Sequence, residues 1–167
     1  MHDELTQGDI DKMEKEIGYR STVKRNELLQ ALKEARAQGD LSENFEYSMA
    51  KRENNRNNSR IRYLKNMIKT AKIVSDHSAA DEVGLDNTVT VYYPDDDQEE
   101  TFRIVTTIRG DSLNGLISKE SPLGRAVLGS KVGETVHVTV NEQVGYDVKI
   151  LRIDKSSDDS QDEIASY

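Results

Sequence analysis

Between Ile10 and Ala71 apolar residues recur in stripes of three- and four-residue spacing, between Thr88 and Ile153 they fall in short runs that alternate every second position, and the chain changes character near residue 76. Past Glu46 the first stripe runs through Tyr47, Ala50, Ile61, Leu64, Ile68 and Ala71, with Asn54 and Asn57 at the intervening positions. A period of about 3.5 residues marks a coiled-coil seam. Upstream, Ile10, Met13 and Ile17 begin a similar stripe, and Leu28, Leu32 and Ala35 resume it after a poorly patterned stretch around Gly18 and Tyr19. With a turn of only a few residues between them, the two segments are predicted to fold back as an antiparallel helical hairpin.

The second half reads differently. TVTVYY (88–93), TFRIVTTI (101–108), TVHVTV (135–140) and YDVKILRI (146–153) alternate as strands do, between acidic or glycine-containing turns. SPLGRAVLG (121–129) is the one helix candidate there, with Ser121 as N-cap and Pro122 at the first helical position. The fold class is therefore α+β in two domains: a helical hairpin over 1–76 and an antiparallel β domain with a short helix over 80–154. The remaining 155–167 are polar, acidic and without periodicity, and are expected to be a disordered tail.

Composition narrows the function. Hydrophobic residues are 35% and charged residues 32%, which suits a two-part molecule with much surface better than one large globule. The absence of cysteine excludes disulfides and thiolate metal sites. His2, His77 and His137 have no ligand spacing, which favours surface or core roles for each. No apolar run reaches membrane-span length and the N-terminus is acidic, so a soluble, cytoplasmic protein without membrane contact is expected. The net charge of -8 conceals an asymmetry: residues 1–47 sum to -4, 48–75 to +7 and 76–167 to -11. One basic helix thus lies inside an acidic protein, either as a solvated face or as a patch that meets phosphate.

The predicted turn carries QGDLSENFEY (38–47), which gathers Asp40, Glu43 and Glu46 around a helix start. Asp40 followed by Glu43 fits a capping pair for the second helix, and acidic residues in a first turn suit the helix dipole. Yet the three-four seam runs back from Tyr47 through Glu43 to Asp40, so it presents carboxylates where the partner helix has ended. A first arm of about 30 residues would be about 45 Å long, which makes the hairpin a slender probe with an acidic tip.

EARAQGDLSENFEY (34–47), the segment around AKRENN (50–55) and ISKESPLGRAVLGSKVGE (117–134) resemble the bacterial Gre transcript-cleavage factors, GreA type, over residues from about 5 to 153. The resemblance implies a coiled-coil hairpin followed by an FKBP-like domain that docks on RNA polymerase and is not an isomerase. It implies a transcription elongation factor, not itself an enzyme, that enters the polymerase secondary channel and stimulates hydrolysis of the backtracked RNA 3′ end by the polymerase's own active site. The family's two tip acids fall on Asp40 and Glu43, as catalytic and metal-binding positions. The metal the resemblance implies is Mg²⁺ shared with the polymerase active site, with none held stably by the isolated protein. Two carboxylates match the oxygen ligands Mg²⁺ takes. Lys51 falls at the family's basic position toward the RNA, with Arg52, Arg56 and Arg60 added from charge and helical spacing, against the alternative of pairing with the acidic first arm. Ser121, Pro122 and Arg125 lie in the motif carried over as polymerase-docking. The implied partners are RNA polymerase and the backtracked nascent RNA, with no small-molecule substrate and a monomeric protein expected.

Four departures stand out: Phe45 where a small residue is usual, Asn54, Asn55, Asn57 and Asn58 in the upper coil, Arg25-Asn26-Glu27 in place of Arg-Pro-Glu, and the extra acidic tail. They keep two rivals open: a channel-binding regulator that does not promote cleavage, and an RNA- or ribosome-binding module whose tip acids merely cap.

Overall fold

A computed structural model of the chain describes residues 3–39, 44–156 and 158–166. The chain forms two compact units, one of Met1–Asp3 with Ile10–Lys72 and one of Glu4–Asp9 with Ile73–Tyr167.

The first unit is the predicted hairpin. Its first arm comprises α1 (Gln7–Tyr19, its opening turn in the second unit), a five-residue π-helical turn (Arg20–Lys24) and α2 (Arg25–Arg36), and its second arm is α3 (Phe45–Thr70). Antiparallel packing shows in the cross-arm pairs: Ala35 with Asn44, Arg25 with Asn58, Arg20 with Asn57, and Glu16 with Arg60. Ile10, Met13, Leu28, Ala35, Ile61 and Leu64 are buried, as the stripe requires. The poorly patterned stretch in the sequence runs into the π turn, which contains no buried residue.

The second unit is a five-stranded sheet in the order β5-β4-β3-β7-β6, built from β3 (Thr88–Tyr93), β4 (Gln98–Val105), β5 (Leu116–Ser118), β6 (Thr135–Thr139) and β7 (Gly145–Asp154). Two further short strands, β1 (Glu4–Leu5) and β2 (Lys72–Ile73), lie outside it. Alternation places Val89, Val91, Phe102, Ile104, Val138, Val148 and Ile150 on one core with Val83 and Val127. α4 (Pro122–Val127) closes that core, capped as predicted by Ser121, whose Oγ accepts from Gly124 N at 3.0 Å. A Cβ on Gly124 would stand 2.1 Å from Ser118 O, so only glycine lets α4 lie this close to β5.

Three expectations are corrected. The sheet is mixed, because β5 pairs with β4 in parallel. β4 starts at Gln98 and ends at Val105, and Thr107–Arg109 turn into a 3-10 helix. The tail, expected to be disordered, is docked on the second unit. Asp162 is buried and accepts from Arg103 Nη1 and Nη2 at 2.7 and 2.5 Å and from Arg109 Nη1 at 2.9 Å. Ala165 N donates to Ile108 O at 2.7 Å.

Arg109, fully buried, is the node of that cluster. It also donates Nε to Asp9 Oδ1 at 2.5 Å and Nη1 to Asp86 Oδ1 at 2.7 Å. Asp9 in turn accepts from Thr6 N, while Asp9 N donates to Thr6 Oγ1, a reciprocal cap on α1. Val74 N donates to Leu5 O at 2.8 Å. The N-terminal strand and the tail therefore both belong to the same compact unit as the sheet.

Candidate functional site

The first arm stops at Arg36 because Ala37 to Gly39 form a turn, with Gly39 at a φ of +116° that a side chain rarely adopts. Asp40 and Glu43, the predicted catalytic and metal-binding acids, lie outside the described residues. What flanks them is informative. α3 begins at Phe45 and takes its N-cap from Asn44, whose Oδ1 accepts from Tyr47 N at 3.0 Å. The Asn44 amide also donates to Ala35 O at 2.7 Å, closing the end of the first arm onto the start of the second. The capping pair of Asp40 and Glu43 considered for this helix lies outside the described residues, and the N-cap of α3 is Asn44. Sequence reasoning missed it, although an asparagine directly before the stripe that starts near Tyr47 is a recognised start signal.

Glu46 is exposed in the first turn of α3, where the helix dipole favours a carboxylate. The Arg36 guanidinium stacks 5.7 Å from the Tyr47 ring centroid, joining the arms just below the turn. Phe45 is 74% exposed, an apolar ring in solvent.

The basic residues of α3 separate into two groups. Lys51 and Arg52 are exposed, and Arg56 is exposed with a surface contact to Glu53 at 3.3 Å, which contributes about 0–1 kcal/mol. Arg52 and Arg56 stand four apart on one helix face, one turn from each other. Arg60 differs: it is buried, and its Nε donates to Glu16 Oε2 at 2.8 Å. Of the two roles weighed for it, pairing with the acidic first arm is the one the structure shows. Burial raises the Glu16 pKa, but hydrogen bonds and charge from Arg60 and Arg20 outweigh it and hold the carboxyl below its usual range.

On the C-terminal unit an open cleft of about 480 Å³ is lined by Leu116, Ile117, Pro122, Leu123, Val140 and Tyr146 among others. The adjoining Ser112–Asn114 turn holds Leu113 at 96% exposure. Of the three predicted docking residues, Pro122 and Arg125 are exposed, and Arg125 pairs with Glu120 at 3.1 Å. Ser121 is committed to the helix: it caps α4 and donates to Ser118 O at 2.7 Å. Leu113 was not found from sequence, because a lone leucine in a turn carries no periodic signal.

Among the described residues no helix is long and apolar enough to cross a membrane, and no group of three or more His, Asp or Glu side chains is placed to hold a metal.

Family models match nearly the whole chain. That for "Transcription elongation factor, N-terminal" covers residues 4–73 and that for "Transcription elongation factor, GreA/GreB, C-term" covers 77–155. Transcription elongation factor GreA of Streptococcus pneumoniae serotype 19F (strain G54) is 41% identical over 155 residues, spanning 92% of this chain and 96% of that protein. GreA of Caldanaerobacter subterraneus subsp. tengcongensis is 43% identical over 150 residues, 89% of this chain and 95% of that one. The crystal structure of the GreA factor homolog 1 protein of Thermus thermophilus aligns over 92% of this chain and 99% of its own, at 21% identity and a TM-score of 0.41.

Proposed function

The chain belongs to the GreA/GreB family of transcription elongation factors, and from that premise we propose that it stimulates RNA polymerase to cleave its own backtracked transcript. In this reading the protein acts as a monomer, docks through the C-terminal unit and sends the hairpin into the secondary channel. The protein is not a nuclease by itself. Asp40 and Glu43 are its working groups. Their carboxylates are hard oxygen donors of the kind Mg²⁺ accepts. An Mg²⁺ shared with the polymerase would supply charge stabilisation at the scissile phosphodiester and a reactive water. The chain's own contribution is to carry two anionic ligands on a stiff rod, hold them in place, and exclude other water from the channel.

The observation that carries this reading is the match to the two GreA/GreB family models across residues 4–73 and 77–155, beside an α3 whose N-cap is Asn44. Lys51, Arg52 and Arg56 lie on the exposed side of the same helix, where extruded RNA phosphates would pass. Pro122, Leu113 and the cleft beside them offer the apolar contact from which docking draws its energy.

The test is a stalled, backtracked elongation complex. Added protein should shorten its transcript from the 3′ end and leave free RNA intact, whereas hydrolysis of naked RNA by the protein alone would overturn the reading. One observation favours a second reading, channel occupancy without cleavage: the exposed Phe45 ring, two positions after Glu43 in the sequence. Polymerase binding with no shortening of the transcript would select it.

A further inference from the structure

The seam of α3 contains a residue that neither packing nor cleavage explains. Asn57 stands in line with Ala50, Asn54, Ile61 and Leu64, at 2% exposure, where an apolar side chain would bury more usefully. Both halves of its amide are used on one residue of the opposite arm. Nδ2 donates to Arg20 O at 3.0 Å, and Oδ1 accepts from Arg20 Nη1 at 3.1 Å. Arg20 opens the π-helical turn, the one place among the described residues where the first arm departs from α geometry, and its carbonyl also accepts from Arg25 N. Flanking contacts repeat the pattern: Glu16 takes Arg20 Nε at 2.7 Å and Arg60 Nε at 2.8 Å, and Arg25 Nη2 donates to Asn58 Oδ1 at 3.3 Å.

We infer that Asn57 is a positioning residue that fixes the register of the two arms, and with it the reach of the tip. Apolar seam residues tolerate a slide of one turn, about 5.4 Å, because each knob finds another hole. An amide that must meet one carbonyl and one guanidinium has a single register, and a buried asparagine on a coiled-coil seam is a known register device that costs stability. A tip displaced by even about 1 Å from reacting groups can lose about 10²-fold in rate. The functional half of this inference rests on the cleavage reading above; the structural half does not.

The experiment uses full-length Asn57→Leu, with Asn57→Ala in parallel in case the larger side chain prevents folding. The chain has no cysteine, so cysteines introduced at Glu27 and Asn55, both exposed, take nitroxide labels cleanly. Electron–electron resonance should give one narrow distance for the parent. The variants should gain a second, displaced population while keeping helix content and an equal or higher melting temperature in the Leu case. Cleavage stimulation at saturating, unlabelled factor should fall at least about tenfold, with polymerase affinity kept within about twofold. A single narrow distance equal to the parent's in a folded variant overturns the inference. A parent that binds polymerase without cleaving would defeat the functional reading instead, and the distance measurement would still decide the register.

Discussion

Removing the Asp162 carboxylate tests the docked tail. In Asp162→Ala, Arg103 loses contacts at 2.7 and 2.5 Å and Arg109 loses one at 2.9 Å. Breaking a fully buried pair costs about 3–5 kcal/mol. Two features reduce that here. Arg109 keeps Asp9 and Asp86, and Arg103 is partly exposed with Asp86 still 3.7 Å away. The released tail also regains backbone entropy, about 1–2 kcal/mol per residue. We therefore expect a loss of about 2 kcal/mol, and a C-terminal unfolding transition about 10 °C lower by calorimetry. The pH dependence has a definite sign. Burial raises the Asp162 pKa, but hydrogen bonds and charge from Arg103 and Arg109 outweigh it, so the folded pKa is depressed. The contribution is full above the unfolded value of about 3.9 and is lost as pH falls through the folded one, so parent and variant should converge in strong acid. Equal melting temperatures at pH 7, or a gap that persists undiminished at pH 2, would refute the reasoning.

Asn44→Ala should cost about 1 kcal/mol through the lost cap, and amide exchange should quicken at Tyr47 and Ser48 rather than along the whole hairpin. Replacing Lys51 and Arg52 together with Ala should weaken the response of deeply backtracked complexes more than that of complexes displaced by one or two nucleotides, and should reduce the salt dependence of RNA crosslinking. Leu113→Asp should lower polymerase affinity about tenfold in a binding titration while leaving the melting temperature within about 2 °C, because the side chain touches almost nothing else.

Where local chemistry decided the structure, the sequence was readable. The Ile61 and Leu64 stripe, the alternation through Val148 and Ile150, and the Ser121-Pro122 helix start all report forces acting within a few residues. Structure set by distant partners was not. The tail's composition is that of a solvated segment, and Asp162 is buried only because Arg103 and Arg109, more than fifty positions away, meet it. Leu116–Ser118 is too short to show a period and forms a strand only beside β4. Gln98–Glu100 are exposed and polar, so nothing in them marks the outer end of β4. At the site, the acids and exposed cations were legible as charges at helical spacing. The division of labour was not: Arg60 belongs to Glu16, and the cap belongs to Asn44.

The central claim is that Asp40 and Glu43 work on the polymerase's reaction rather than on the hairpin's fold. Asp40→Asn separates the two, because it removes the charge while keeping a side chain suited to a helix start. Measured as the rate of 3′ shortening in a backtracked complex at saturating factor, with the melting curve of the same sample beside it, the variant should lose at least about 10²-fold in rate with no change in melting, as expected when a group acts only on the transition state. Parental cleavage together with a lowered melting temperature would contradict the account and return the acids to a structural role.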